Sequence, residues 1–346
     1  MAVKSHYKGK EIILRIFIFC ISTLLFIALL EIILRIYPVR EITVNNPYQY
    51  IKTKGQARFG IPFNTYAEIF PLKFDSRGYY RKSSGIIGYH FNQFGGRWLE
   101  PAEQKLGRRN IIVIGDSFTY GFGLRYEDTY IYKIQDSLNK SGLNVSFINF
   151  SRPGCDSEMC LTIYNRIKDT IHHDCLIYGL DLNDLIEFPI SYILSNRRGC
   201  CARIRRYSKL MDFIFVRVGK IKHRQENIRG LIDPSNFEKS YFIKNIEAIK
   251  QINIEAQRRS IKFLVVILPI LTDLRDCAFC PVYKKIKEQF GINKIAYFDL
   301  TDSVCSYQDP DLWIFPFDQH PNEVANTIYA RKLEGAIKNI LLDSKD

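Results

Sequence analysis

The sequence predicts an α/β protein: a mostly parallel five-stranded sheet with helices on both faces, preceded by one transmembrane helix. Two observations carry the sheet. Five short β-rich apolar runs occur in order: Asn110-Ile114, Val145-Phe150, Cys175-Leu180, Phe263-Leu268 and Ile295-Leu300. All but one successive pair is separated by about one helix length, which is the alternation of βαβ units. A third observation, a long apolar run near the N-terminus, carries the membrane helix. At 346 residues and 47% hydrophobic, the chain has ample material for a core and is too apolar for a disordered polymer. No collagen period, heptad run or short repeat is present, which excludes fibrous and solenoid classes.

The apolar run spans Ile16 to Leu34 with one charge, Glu31. It is long enough to cross a hydrocarbon core, and nearly every face of it is apolar, unlike a one-sided core helix. Lys4, Lys8 and Lys10 precede it, so the positive-inside tendency keeps the N-terminus cytoplasmic and exports the chain beyond the run. Arg15 and Arg35 can snorkel from its two ends. A cleaved signal peptide is the competing reading, but the run is long for one and no small-x-small site appears before Ile36-Tyr37-Pro38. An uncleaved anchor is the expectation. The domain plan is then a cytoplasmic tip and anchor (1–37), an extension of short strands and turns (38–107), and an α/β domain (108–346).

Helices are expected at Tyr126-Leu138, Ser157-Thr170, Phe237-Arg258, Val282-Phe290 and Glu323-Leu342, with Pro321 and Asn322 as the start signal of the last. The interval at about 185–235 breaks the alternation and is an insertion. Between Arg197 and Arg229 it holds eleven Lys or Arg against Asp212 and Glu226. The whole chain carries 49 basic and 36 acidic residues, a net charge of +13, which favours an anionic surface or substrate. A solvated helical face is the plain reading of the basic stretch. Leu210-Met211 and Phe213-Ile214-Phe215-Val216 interleave apolar bulk with that charge, as in an interfacial amphipathic helix. Contact with the membrane surface or an acidic glycan is therefore expected, and nucleic acid is not expected for an exported chain.

Of nine cysteines, Cys20 lies in the span and eight lie downstream. Cys277-Ala-Phe-Cys280 reads as a structural disulfide or a reduced pair, since a lone CxxC is a weak metal signal. No metal or organic cofactor is expected.

The first apolar strand ends in Ile114-Gly115-Asp116-Ser117-Phe118-Thr119, which places Ser117 at a C-terminal strand edge just before a helix, where α/β sites form. This is not a GxSxG elbow. A dinucleotide site is excluded as well, because Gly121-Phe122-Gly123 lacks a third glycine and the second strand ends in Phe150-Ser151 without an acid. A serine needs a base to act as nucleophile. Only six histidines occur, and His320 sits in Phe317-Asp318-Gln319-His320-Pro321-Asn322 just before the last helix. Asp318 and His320 are two apart in an extended segment and project to one side. The carboxylate can then orient the imidazole that takes the serine proton. Oxyanion donors are expected from the Ser117 N–H, from Gly154 after the second strand, and from the Asn183 amide after the third.

Gly-Asp-Ser, a loop Gly, Asn-Asp and Asp-x-His-Pro-Asn, in that order over residues 108 to 342, resemble the blocks of the SGNH/GDSL hydrolase family. The resemblance implies a flavodoxin-like three-layer α/β/α fold. It also implies Ser117 as nucleophile, Gly154 and Asn183 in the oxyanion hole, and His320 as base supported by Asp318. The anchor followed by Asn92-Gln93-Phe94-Gly95-Gly96-Arg97 resembles the membrane-anchored bacterial members, with the catalytic domain periplasmic or extracellular. Two departures are visible: Asp318 is two residues before His320 where the family commonly has three, and Gly179 is four before Asn183 where the family usually has two. Asp181 and Asp184 are given no catalytic role. The expected activity is hydrolysis of an acylated envelope glycan, lipid or small ester through an acyl-enzyme on Ser117. The alternatives are an O-acyltransferase on the same site and a catalytically silent glycan-binding or envelope-assembly protein.

Overall fold

A computed structural model describes residues 2–36, 90–91, 96–98, 107, 109–186, 207–211, 214, 232–315 and 318–342. The chain divides into two compact units. One combines Met1–Asn45 with Pro189–Asn227, and the other combines Asn46–Phe188 with Ile228–Asp346.

The second unit is built on a seven-stranded sheet of order β1-β2-β4-β3-β5-β6-β7. Five of the strands are parallel: β3 (Arg109–Gly115), β4 (Val145–Asn149), β5 (Cys175–Leu180), β6 (Lys262–Ile267) and β7 (Tyr297–Asp299). They coincide with the five apolar runs. Counted among themselves they run second-first-third-fourth-fifth, which is the flavodoxin-like order. Two short antiparallel strands extend the edge: β1 (His90–Phe91) pairs with β2 (Arg97–Trp98), and β2 pairs with β4 through Arg97 and Asn149. They fall in the stretch expected to hold short strands and turns. The rest of 38–104, including Asn92 to Gly95, and most of the insertion lie outside the described residues.

Ile111 to Ile114 form a continuous apolar run because β3 is central and buried on both faces. The pleat sends alternate residues to opposite sides. Ile112 and Ile114 join a core with α4 (Ser157–Ile167), α5 (Ser240–Arg258) and α6 (Cys280–Ile292). Ile111 and Val113 face α3 (Tyr130–Lys140) and α7 (Glu323–Leu342). Three layers result.

The helix ends differ from expectation for local reasons. The segment expected as one helix from Tyr126 is a 3-10 turn, Tyr126–Asp128, and then α3. Thr129 between them is extended and accepts the Tyr132 N–H at 3.3 Å, so it is an N-cap rather than a helix interior. The segment from Phe237 likewise opens as a 3-10 turn, Pro234–Glu238, and becomes α-helical only after extended Lys239. A hairpin of β8 (Trp313–Phe315) and β9 (Asp318–Pro321) precedes α7. Cys277 and Cys280 form a disulfide at the start of α6. Among the described residues Cys20, Cys155, Cys160, Cys175 and Cys305 are free thiols, while Cys200 and Cys201 lie outside the described residues.

In the first unit, α1 (Ala2–Ile36) contains a 23-residue stretch, Leu14–Ile36, of mean hydropathy 2.8 with none of it buried. That helix is long and apolar enough to cross a membrane.

Candidate active site

Three loops at the C-terminal ends of β3, β4 and β5 and the end of β9 supply the predicted residues, as expected for a parallel sheet with a strand-order switch. β3 and β5 end side by side, with Gly115 paired to Gly179. A Cβ on Gly179 would lie 1.9 Å from Thr119 Oγ1 and 2.8 Å from the Tyr130 hydroxyl. Gly179 is thus fixed by close approach of the segment after β3. This accounts for its distance from Asn183: the glycine serves packing of the strand end and does not belong to the Asn183 turn.

The turn after β3 is the short helix α2 (Ser117–Tyr120). Asp116 caps it, extended in backbone, with Oδ1 accepting the Phe118 N–H at 2.8 Å. Ser117 is 8% exposed. Its Oγ lies 2.9 Å from His320 Nε2 and 3.0 Å from Asp116 Oδ2. Asn183 Nδ2 donates to the same Oδ2 at 3.2 Å. Serine, histidine and asparagine therefore converge around one buried carboxylate. Burial pushes the Asp116 carboxyl above the usual range, opposed by the Phe118 N–H, the Asn183 amide, the charge of His320 and the Ser117 hydroxyl.

His320 is held from several directions. The Asn322 N–H donates to Leu312 O at 2.9 Å, its Nδ2 donates to Asp311 O and Trp313 O at 2.8 and 3.2 Å, and its Oδ1 caps α7 by accepting from the Val324 and Ala325 N–H groups. Asn326 Nδ2 donates to Pro321 O at 3.2 Å. Phe118 and Phe122 pack against the imidazole, with ring centroids 5.5 and 4.9 Å away. The Asp318 backbone is in β9, paired with Phe315, and its side chain lies outside the described residues.

Asn183 lies in a 3-10 turn, Leu182–Asp184, closed by a capping box between Asp181 and Asp184. Gly154 has φ 73° in the loop after β4, two residues beyond Arg152, whose N–H donates to Gly115 O at 3.0 Å. The β4 loop is thereby tied to the strand that carries the Ser117 turn. Asp181 and Asp184 are buried, and Asp184 Oδ2 accepts from the Tyr178 hydroxyl at 3.0 Å and from the Asp181 N–H at 3.2 Å. Burial and the neighbouring carboxylates hold both carboxyls well above their ordinary values.

Two residues of the site carry more than the sequence pattern assigns them. The cap role of Asp116 is readable from Asp before a helix, but its contact with the Ser117 hydroxyl depends on a turn geometry the pattern does not encode. Arg97 is fully buried and bonds to the carbonyls of Tyr120, Gly121 and Leu124. Its guanidinium lies 4.8 Å from the Tyr120 ring and 5.8 Å from the Tyr126 ring. It closes the turn that presents Phe122 to His320.

No known family's sequence profile matches the chain, and no curated protein matches it. Among solved structures, TesA is 16% identical with a TM-score of 0.41, over 67% of this chain and 99% of its own. A member of the lipolytic protein G-D-S-L family from Veillonella parvula is 18% identical with a TM-score of 0.37, over 66% and 98%. A family two carbohydrate esterase from Clostridium thermocellum, solved with cellohexaose, is 13% identical with a TM-score of 0.42, over 70% and 67%. At these identities and scores no chemistry is carried across, and the chain is similar to, rather than identified with, solved proteins that include lipolytic G-D-S-L proteins and esterases.

Proposed function

We propose that the chain is a membrane-anchored serine ester hydrolase of SGNH/GDSL type. What carries this is the 2.9 Å approach of His320 Nε2 to Ser117 Oγ at the C-terminal edge of the sheet, within the reach a general base needs. Ser117 Oγ attacks the ester carbonyl while His320 Nε2 takes its proton, and Asp318 orients the imidazole. The Ser117 and Gly154 N–H groups and the Asn183 amide receive the developing oxyanion. The protonated His320 then gives its proton to the leaving alcohol, and water activated by the same base releases the acid.

Asp116 is a positioning residue here. By holding one N–H of the Asn183 amide it orients the other toward the substrate oxygen. The apolar helix supports a single-pass anchor with the N-terminus cytoplasmic and the catalytic domain, residues 108–346, outside the cytoplasm. Tether and basic insertion together favour an acylated envelope glycan or lipid as substrate.

The test is a fluorophosphonate probe on the full chain in detergent, read by intact mass. One adduct, absent from Ser117→Ala and strongly slowed in His320→Ala, is the expected result. No adduct on a folded chain, or an adduct surviving Ser117→Ala, removes the assignment.

A further inference from the structure

Glu31, the single charge of the apolar run, is fully engaged. Its Oε1 accepts from Arg35 Nε at 2.8 Å and from the Lys209 N–H at 2.9 Å, and its Oε2 accepts from the Ser208 hydroxyl and the Leu210 N–H, both at 2.9 Å. Arg35 Nη2 also donates to Tyr207 O at 2.8 Å, and Ser208 Oγ accepts the Met211 N–H at 3.1 Å. Both segments belong to the same compact unit. The first N–H groups of a helical turn have no acceptor within the turn. Here Glu31 supplies an acceptor for two of them and Ser208 for the third. A carboxylate in an apolar span is expensive unless hydrogen bonded and marks a role of its own. The proposed ester chemistry makes no use of it.

We propose that Glu31 docks residues 207–211 onto the exported end of the membrane helix, placing them at the membrane surface, where the positive charge of the insertion binds anionic lipid headgroups. The inference rests on the reading of α1 as a retained anchor. Glu31 is five residues before Ile36, the end of the apolar stretch, so at 1.5 Å per residue it lies about 7–8 Å inside that end. That is the depth at which interfacial helices sit, about 5–10 Å. Tyr207, whose carbonyl accepts from Arg35, is 72% exposed, and Ile214 is 42% exposed, apolar surface suited to a headgroup and acyl-chain boundary. Residues 197–229 add eleven Lys or Arg against two acids, and each cation near an anionic surface adds to binding. An acidic glycan would answer the charge but not the fixed depth or the exposed apolar side chains.

The test uses hydrogen exchange on the full chain in vesicles of phosphatidylcholine, alone or with one third phosphatidylglycerol. In neutral vesicles the amides of residues 209–211 should be protected, and Glu31→Ala should speed their exchange about tenfold or more, with β3 amides unchanged as the control for folding. Anionic vesicles should slow exchange across 207–216 further, and this increment should vanish in Glu31→Ala and at high salt. Unchanged exchange of 209–211 in Glu31→Ala overturns the docking. Equal exchange in the two vesicle types overturns the headgroup ligand, as does slowing by a soluble acidic polysaccharide in place of phosphatidylglycerol. The N-terminal mass of the membrane-extracted protein separates the two levels: a mature chain lacking Glu31 overturns anchor and docking together, whereas a retained anchor with unprotected 209–211 overturns the docking alone.

Discussion

Gly179→Ala is the sharpest probe of how the sheet positions the proposed nucleophile. The added Cβ would sit 1.9 Å from Thr119 Oγ1, 2.8 Å from the Tyr130 hydroxyl and 3.0 Å from Thr119 Cβ. Ordinary contact begins near 3.4 Å, so about 1.5 Å of separation must be found. Thr119 is fully buried, with Oγ1 donating to Gly179 O and accepting from the Tyr130 hydroxyl, each at 3.3 Å. It cannot swing into solvent, and the displacement passes into α2, which begins two residues earlier at Ser117. Overpacking of this kind costs about 1–3 kcal/mol, or roughly 2–4 °C in Tm per kcal/mol for a domain of this size. A shift of about 1 Å in α2 separates Ser117 Oγ from His320 and can cost about 100-fold in turnover. The assay is Tm by near-UV circular dichroism beside kcat for p-nitrophenyl acetate, on Gly179→Ala, Thr119→Ala and the double variant. Because Thr119→Ala removes the closest clashing atom, the double variant should be more stable than the sum of the singles by about 1 kcal/mol. A single variant with unchanged Tm and kcat, or strict additivity, would refute the steric account.

Two further outcomes concern the same loops. Asp181 and Asp184 are buried with carboxyls held well above their ordinary values, so the folded chain binds protons that the unfolded chain releases above about pH 4. Stability should therefore fall as pH rises through the window above that value, by about 1.4 kcal/mol per pH unit for each proton retained. Asp184→Asn keeps the acceptor for Tyr178 and removes one such proton, so urea unfolding should show a shallower pH slope; an unaltered slope would contradict the assignment. Asn322→Ala should lower Tm by about 2–4 °C through loss of a cap worth about 1 kcal/mol, and should lower kcat more than it raises KM. Asn322→Asp keeps the cap acceptor but not the donors to Asp311 and Trp313, so recovery of Tm without recovery of kcat would assign the activity loss to the hairpin, and recovery of both would show that the cap alone positions His320.

The sheet was legible because its strands are short, β-branched and buried on two faces, so Ile111 to Ile114 and Leu176 to Leu180 carry an apolar signal that no turn or helix face imitates. The α7 boundary was legible for the same local reason, Asn322 being a cap on the residue before the helix. Trp313–Phe315 was not. A three-residue strand has almost no pattern of its own, and this one is fixed by distant partners, Trp313 Nε1 donating to Leu271 O and Asn322 bonding back to Asp311 and Trp313. The same distinction divides the site. Ser117 and His320 are marked by their strand-end positions, although 203 residues separate them. Asp116 as a shared acceptor, Arg97 as a clamp and Glu31 as a docking group depend on partners 67, 23 to 27 and 177 to 179 residues away. No periodicity records such pairings.

The Ser117 hydroxyl has one proton and two acceptors, and the balance between them bears on the proposed mechanism. Asp116 Oδ2 already takes the Asn183 amide, and Oδ1 takes the Phe118 N–H, so the carboxylate stays satisfied when the serine proton turns to His320. The movement of that proton then creates an imidazolium beside an anion rather than beside a neutral turn. His320 opposes the upward push on the Asp116 carboxyl, and the same Coulomb attraction acts in reverse, favouring the charged imidazole during attack. In the proposed mechanism Asp116 thus assists the base without touching it. A carboxylate buried next to a nucleophile would ordinarily be a liability, because it competes for the proton and repels the developing oxyanion. With the serine proton turned to His320, the Phe118 N–H on Oδ1 and the Asn183 amide on Oδ2 still satisfy the carboxylate, and in the proposed mechanism the second N–H of that amide answers the negative charge of the oxyanion.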